Sequence, residues 1–156
     1  MDDRSKKTLS TVHPEAHPKF EAFMVAAQAL AAARGLQYIA ICGLRSWAEQ
    51  EALYAKGRTA PGPIVTKAPP GSSFHNFGLA IDCGVFRGKA YLDEKDPKLA
   101  SAMHRSAGAL AKVHGLRWGG DFKSIVDMPH YELDTRLSLA QLRERYNSKG
   151  WVSLTT

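Results

Sequence analysis

The chain has 156 residues, of which 44% are hydrophobic and 23% charged, and its net charge is +6. This length and composition are typical of one soluble globular domain, and no apolar stretch approaches the roughly 20 residues of a membrane span. The two cysteines are too few for a disulfide scaffold, and the scattered basic residues form no nucleic-acid-binding motif.

The first half of the chain predicts two helices around a buried strand. Residues 1–12 carry neither the apolar core nor the cleavage site of a signal peptide, and they predict a flexible arm. Apolar residues at three- and four-residue spacing predict a helix over 14–35. Residues 36–44 predict a buried strand, and a capping box opens a second helix over 46–56. The proline- and glycine-rich stretch 57–73 predicts a long loop, and such loops are often functional.

The second half predicts the remaining strands and helices. Residues 78–86 alternate between two faces as a strand does, and 130–133 predicts another short strand. Between them, an aspartate followed by a proline opens a helix over 96–115, and Ser138 caps a last helix. These elements predict an α+β fold over residues 13–156, a single domain with a small, mainly antiparallel sheet and flanking helices.

The cysteines and most histidines have structural explanations. Cys42 and Cys83 lie in predicted strands, where free thiols behave as small buried side chains. Because strand alternation turns Cys83 away from Asp82, we expect no cysteine ligand in a metal site. Four of the six histidines fall at helix ends or on helix surfaces: His13, His17, His104 and His114. His75 and His130 remain to be explained.

The most informative pattern is Ser-x-His-x-x-Gly-x-Ala-x-Asp at residues 73–82, followed by Asp-x-x-His at 127–130. Two imidazoles and one carboxylate can bind zinc and leave one position open for water. His75, Asp82 and His130 therefore predict a catalytic zinc site, held by strands rather than by the single helix of an HExxH site. A lone histidine or aspartate usually has an ordinary core or surface role, but this combination is specific.

Several polar residues near these ligands suit the other steps of a hydrolysis. Asp127, three residues before the last histidine, is the candidate for the base that takes a proton from water. Arg45, at the end of a predicted strand, is the candidate for stabilising the oxyanion. Ser73, Gln50 and Tyr54 are candidates for binding substrate. Taken singly, Arg45 also fits a structural ion pair, and Asp127 also fits a turn.

The chain resembles the zinc D-Ala-D-Ala carboxypeptidase-like peptidases, which include VanY- and hedgehog-like domains. Within that family it resembles the phage L-alanyl-D-glutamate endopeptidases, a class of endolysin. The similarity spans about residues 20–133 and runs through the segments 43–46, 48–50, 53–59, 64–66, 73–82 and 118–130. The vancomycin-resistance dipeptidases carry Glu where this chain has Asp127, which favours the endopeptidase branch.

The resemblance implies one zinc ion bound by His75, Asp82 and His130, with Asp127 as the base and Arg45 on the polarised carbonyl. It implies that a monomer hydrolyses the L-Ala–D-Glu bond of peptidoglycan stem peptides. Members of this branch can be regulated by Ca²⁺, for which the sequence indicates no site. An endolysin made in the host cytoplasm without a signal peptide reaches the cell wall in the periplasm through membrane pores.

Three other functions fit parts of the sequence. A D-alanyl-D-alanine carboxypeptidase or dipeptidase uses the same zinc machinery on a different bond. A non-catalytic zinc-containing wall-binding module keeps the fold, but the presence of both Asp127 and Arg45 argues against it. Binding to nucleic acid rests on the net charge alone. The sequence assigns no role to the tail after about residue 135, which includes Trp151.

Overall fold

A computed structural model of the protein describes residues 1–149 and 154, so Trp151 lies outside the described residues. The helices are α1 Asp3–Leu9, α2 His17–Ala32, α3 Trp47–Ala55, α4 Leu92–Lys95, α5 Pro97–Val113 and α6 Leu139–Lys149. The strands are β1 Gln37–Cys42, β2 Ala80–Arg87, β3 Ala90–Tyr91, β4 Leu116–Trp118 and β5 His130–Leu133. Two 3-10 turns lie at Phe74–Phe77 and Gly119–Asp121. No helix in this part of the chain is long and apolar enough to cross a membrane.

The strands form one antiparallel sheet in the order β1-β2-β5-β4, and β3 pairs with the end of β2. β1 and β2 are neighbours in the sheet although α3 and a long loop separate them in sequence. β2 and β5 occupy the centre because each pairs with strands on both sides. This arrangement confirms the predicted α+β fold with a small antiparallel sheet and flanking helices.

One face of the sheet carries the hydrophobic core. Most of the apolar stripe of α2, including Phe20 and Phe23, is fully buried, as its spacing predicts. The ring of Phe23 lies 4.6 Å from that of Tyr131 in β5, measured between centroids. Burial of each such side chain stabilises the fold by about 1.5–3 kcal/mol. Ile81 of β2 is also buried in this core, so the next residue, Asp82, points to the opposite face.

A β-bulge in β1 changes which residues reach that opposite face. Ala40 pairs with Cys83, but Cys42 pairs with Asp82, so two steps along β1 match one step along β2. Residues directly opposite each other in a ladder share a face of the sheet, and the extra residue of a bulge re-aims the strand. Cys42 therefore shares the face of Asp82 and is only partly buried, whereas Cys83 is a buried free thiol as predicted.

Within residues 1–12, for which the sequence predicted a flexible arm, Asp3–Leu9 form the helix α1. Asp2 caps this helix by accepting a hydrogen bond from the backbone N–H of Ser5 at 2.9 Å. The hydroxyl of Ser5 is buried and accepts from the backbone N–H of Ala40 in β1 at 3.0 Å. Leu9, one turn after Ser5 on the same helix face, is 1% exposed. These two contacts attach the segment to the domain.

His104 lies in the middle of α5 and is buried, which contradicts the expectation of a helix end or a helix surface. Its Nε2 lies 2.7 Å from Asp93 Oδ1, and its Nδ1 lies 2.7 Å from the hydroxyl of Tyr38. That hydroxyl is 2.5 Å from the hydroxyl of Tyr131. The hydrogen-bonded chain satisfies four buried or partly buried polar groups. It also joins the helices α4 and α5 to the strands β1 and β5.

Most other local predictions are confirmed. Ser46 opens α3 through a complete capping box, and Asp96 caps α5 ahead of a first-turn proline. Ser138 exchanges hydrogen bonds with the first turn of α6, and Leu142 buries that helix against the domain. The short elements β3, α4 and β4 were not predicted.

Candidate metal centre

The three side chains predicted as metal ligands meet on the face of the sheet opposite to the core. His75 Nε2 lies 3.0 Å from Asp82 Oδ1, His130 Nδ1 lies 3.1 Å from the same oxygen, and the two nitrogens are 3.3 Å apart. Zinc bonds of about 2.0–2.2 Å place the donor atoms of a tetrahedral site about 3.3–3.6 Å apart. The donor triangle is only slightly smaller, so these residues fit three vertices of a zinc tetrahedron.

The sheet and one short turn bring these donors together. Asp82 in β2 pairs directly with His130 in β5, so both side chains share a face. His75 lies in the 3-10 turn before β2, where the hydroxyl of Ser73 accepts its backbone N–H at 3.3 Å. Gly78 ends the turn at a φ of 67°, a left-handed conformation that favours glycine. The Ser and Gly of the sequence pattern thus shape the segment that carries His75.

Each histidine is oriented by a hydrogen bond on the side away from the triangle. His75 Nδ1 donates to the carbonyl of Gly43 at 2.8 Å. His130 Nε2 donates to Glu132 Oε2 at 3.1 Å, and the other oxygen of Glu132 accepts from Arg117 at 2.9 Å. With the outer nitrogens held in this way, His75 Nε2 and His130 Nδ1 are the nitrogens that face Asp82, and each can bind a metal in place of a proton.

The electrostatics of the triangle favour a cation. Burial acts to raise the pKa of Asp82, but the charges and hydrogen bonds of His75 and His130 hold it well below its usual range. Burial acts to lower the pKa of His75, and the charge of Asp82 together with its hydrogen bond outweighs this effect and raises the pKa to about 10. The buried carboxylate therefore attracts positive charge onto the surrounding donors.

Cys42 is a second candidate donor beside the triangle. Its sulfur and the donor atoms of His75 and Asp82 lie within 4.8 Å of one another. The sulfur is 3.9 Å from Nδ1 of His75, the nitrogen that faces away from the triangle. The expectation of no cysteine ligand rested on Cys83, and it overlooked the bulge that brings Cys42 here. The triangle has the shorter distances and is the better fit to one ion.

Arg45 reaches the triangle from the segment after β1. Its Nη2 donates to Asp82 Oδ2 at 3.4 Å and to the sulfur of Cys42 at 3.3 Å. Its backbone N–H donates to the carbonyl of His75 at 3.0 Å, which fixes the base of the side chain beside the ligand turn. The guanidinium is therefore held next to the candidate metal site.

The donor triangle opens into a cleft of about 950 Å³. Two loops line the cleft, namely the predicted loop 57–73 and residues 122–127 before β5. Asp127 is an exposed residue that lines the same cleft. Partial desolvation and the nearby charge of Asp82 raise the pKa of Asp127. A carboxylate with a raised pKa is better suited to accept a proton near neutral pH.

The structure brings only one of the three predicted substrate-binding residues to this cleft. Ser73 lines it. Gln50 is fully buried and offers no surface to a substrate. Tyr54 lies outside the cleft lining, with its ring 3.9 Å beneath the guanidinium of Arg58. The sequence correctly predicted that Gln50 and Tyr54 lie on a helix, but it did not show which side of this helix faces the cleft.

Two residues support the site in ways that the sequence prediction missed. Glu132 orients His130, and its position two residues later on the same strand face was the available signal. Asn76 is buried and accepts the backbone N–H of Gly71 at 3.0 Å, while its amide donates to the carbonyl of Arg45 at 3.0 Å. Nothing in the local pattern distinguishes Asn76 from an exposed turn residue.

Comparisons with known proteins identify the family and the fold of the chain. The D-alanyl-D-alanine carboxypeptidase family, a branch of peptidase M15, matches residues 66–133. The peptidoglycan L-alanyl-D-glutamate endopeptidase CwlK of Bacillus subtilis (strain 168) is 36% identical over 133 residues, which cover 78% of this chain and 75% of CwlK.

Solved structures of related peptidases share the fold. The Serratia marcescens L-Ala D-Glu endopeptidase ChiX has a TM-score of 0.54 at 19% identity, covering 92% of this chain and 91% of ChiX. The LD-carboxypeptidase LdcB has a TM-score of 0.58 at 20% identity, covering 85% of this chain and 64% of that one. A mutant of the vancomycin-resistance D,D-pentapeptidase VanY, solved with Zn(II), has a TM-score of 0.53 at 16% identity, covering 85% and 78%.

The sheet order and flanking helices place the chain in the structural class of the D,D-peptidase-like folds. Within that class, the extent and identity of the match to CwlK are decisive. The chain belongs to the M15 family of peptidases.

Proposed function

We propose that the protein is a zinc-dependent peptidoglycan endopeptidase that hydrolyses the L-Ala–D-Glu bond of stem peptides. The observation that carries this proposal is the donor triangle of His75, Asp82 and His130 in a cleft that also holds Arg45 and Asp127. The choice of bond is supported by the activities for which the relatives CwlK and ChiX are named.

In this proposal five side chains take part in the hydrolysis. His75, Asp82 and His130 hold the zinc ion, which when bound polarises a carbonyl and lowers the pKa of water. Asp127 accepts the proton of the attacking water and returns it to the leaving amine. Arg45 donates hydrogen bonds to the carbonyl oxygen as negative charge develops there.

The catalytic domain in this proposal includes α1 as well as the predicted residues 13–156. α1 is attached to β1 through Ser5, and β1 ends at Cys42, three residues before Arg45. Ser73 lines the cleft beside His75, so we also propose that its side chain contacts the substrate. The proposed substrate is an acidic peptide, and the basic net charge suits it.

Digestion of purified peptidoglycan by the zinc-loaded protein tests the bond. We expect new amino-terminal D-Glu in the released peptides, measured by mass spectrometry. Release of free D-Ala would instead support a D-alanyl-D-alanine carboxypeptidase, the activity for which the matching family is named. Intact peptidoglycan after prolonged digestion would contradict both activities and favour a non-catalytic wall-binding module.

Four variants test the residue roles. His75→Ala and His130→Ala should lose zinc and activity together, because each removes a donor of the triangle. Asp127→Ala should keep zinc and lose about 10²–10⁴-fold in kcat, the usual contribution of a general base. Cys42→Ser is the matched control and should keep zinc, because its sulfur lies outside the triangle. If Cys42→Ser lost zinc and His130→Ala retained it, the metal site would instead be formed by Cys42, His75 and Asp82.

The remaining sequence predictions stay predictions. They concern the endolysin role, action in the periplasm and the monomeric state. Regulation by Ca²⁺ gains no support, because the described residues contain no acidic cluster apart from the donors already discussed. Addition of Ca²⁺ to protein that was first stripped of metal and then reloaded with zinc alone is expected to leave the rate of peptidoglycan hydrolysis unchanged.

A further inference from the structure

The one fully buried side chain of α3 is an amide. Within this helix, all of which the structure describes, only Gln50 is out of contact with solvent, at 0% exposure. Burial of an amide is unfavourable unless its hydrogen bonds are made inside the protein. The partners of Gln50 therefore reveal why a glutamine occupies a position where an amphipathic helix normally places an apolar residue.

All the hydrogen bonds of the Gln50 side chain lead to the walls of the cleft. Its Oε1 accepts from Nη1 of Arg45 at 3.1 Å. Its Nε2 donates to the carbonyl of Ala68 at 2.8 Å and to the hydroxyl of Thr66 at 3.4 Å. Thr66 and Ala68 belong to the loop 57–73 and line the cleft. The amide is thus a bridge between this loop and Arg45.

The bridge continues to the candidate metal centre. Nη2 of Arg45, the guanidinium nitrogen that Gln50 leaves free, donates to Asp82 Oδ2 at 3.4 Å. Gln50 and Asp82 therefore hold the two ends of the guanidinium and leave it little freedom to rotate. Thr66 and Ala68 border the space that a bound peptide would fill. Because both are hydrogen-bonded to the side chain of Gln50, a displacement of this loop also displaces the amide that holds Arg45.

We propose that Gln50 is a positioning residue that couples the loop wall of the cleft to the orientation of Arg45. This inference rests on the proposed function, in which Arg45 stabilises the oxyanion. The role requires an amide, because one atom must accept from the guanidinium and the other must donate to the backbone carbonyl. A glutamate keeps the acceptor and loses the donor, and a methionine of similar size loses both.

Kinetics of single and double variants test the action through Arg45. Gln50→Met should lower kcat for peptidoglycan by about 10–100-fold at unchanged zinc content, since small misplacements of a catalytic group have effects of this size. Arg45→Met should lower kcat further, and adding Gln50→Met to it should slow the enzyme by less than about 2-fold. The matched control is Gln28→Met, which removes an amide with three hydrogen bonds away from the cleft.

Limited proteolysis tests the coupling to the loop without using activity. The anchored residues Thr66 and Ala68 flank Lys67, an exposed site for trypsin. Both Gln50→Met and Gln50→Glu should speed cleavage after Lys67 in the metal-free protein, whereas Gln28→Met should not. Gln50→Glu should also keep more of the kcat than Gln50→Met, because it still binds Arg45.

Each result decides between coupling and a purely structural role. Multiplicative losses in the double variant, loss of zinc from Gln50→Met, or cleavage at the wild-type rate would overturn the proposal. If the wild-type protein did not hydrolyse peptidoglycan, the proposed function would fail, and the cleavage rates would still accept or reject the coupling of Gln50 to the loop.

Discussion

Glu132 shows how one residue outside the donor triangle can control it. Its carboxylate is only 4% exposed and joins His130 on one side to Arg117 on the other. A carboxylate behind a metal-binding histidine fixes the ring and raises the basicity of the donor nitrogen. We expect Glu132→Ala to weaken zinc affinity by about 10–100-fold, the usual effect of losing such a partner.

Competition with a chromophoric zinc chelator measures this effect directly. The control is Arg117→Gln, which removes the outer partner of Glu132 but leaves its bond to His130 in place. Zinc affinity in this control should fall less than in Glu132→Ala. Equal affinities of Glu132→Ala and the wild-type protein would show that the sheet alone orients His130.

At the scale of elements, the hydrogen-bonded chain through His104 joins the helices α4 and α5 to the sheet. One end of this chain is the carboxylate of Asp93. This carboxylate is mostly buried and accepts from His104 at 2.7 Å and from the backbone N–H of Val85 at 2.9 Å. Burial acts to raise the pKa of Asp93, but these hydrogen bonds outweigh it and lower the pKa. The ionised form therefore stabilises the fold.

The sign of this shift predicts a pH dependence of stability. The contribution of Asp93 is fully present above its unfolded pKa of about 3.9 and is lost as pH falls through the lower folded pKa. We expect Asp93→Asn to reduce the free energy of unfolding by roughly 1–3 kcal/mol at pH 7. The difference from the wild-type protein should shrink below about pH 4.

Urea titrations of the metal-free protein at several pH values check this prediction. The neighbouring Glu94→Gln is the control, because Glu94 is exposed and such surface changes usually stay within about 0.5 kcal/mol. A loss of stability in Asp93→Asn that persisted undiminished at pH 3 would mean that the carboxylate acts through its shape rather than its charge.

The same elements show what local sequence can and cannot predict. Helix α2, the capped start of α3 and the alternation of β2 follow from spacing and cap chemistry, which are local. The position of Cys42 depends on a bulge whose register exists only once β1 pairs with β2. The burial of His104 and Gln50 likewise depends on partners more than 10 residues away, namely Tyr38 and Ala68. Chain-local patterns contain no signal for such contacts.

For the molecule as a whole, we expect the charges that line the cleft to affect binding of an acidic substrate more than the net charge does. Arg45 and Arg117 are engaged by Asp82 and Glu132. Lys67 and Lys123 also line the cleft. Neither lysine has an ion-pair partner within residues 1–149 and 154. Under the proposed function, these two ammonium groups are available to the carboxylates of a stem peptide.

This distribution predicts where salt acts on the enzyme. Exposed charges are screened over about 10 Å at 0.1 M salt, so added NaCl should raise KM for acidic peptidoglycan fragments and leave kcat nearly unchanged. The double variant Lys67→Ala/Lys123→Ala should have a higher KM at low salt and a weaker dependence of KM on salt. The control Lys89→Ala/Lys98→Ala removes the same charge from exposed residues outside the cleft lining, and should behave like the wild-type protein. If both pairs changed KM equally, the attraction would come from the overall charge of +6 rather than from the cleft.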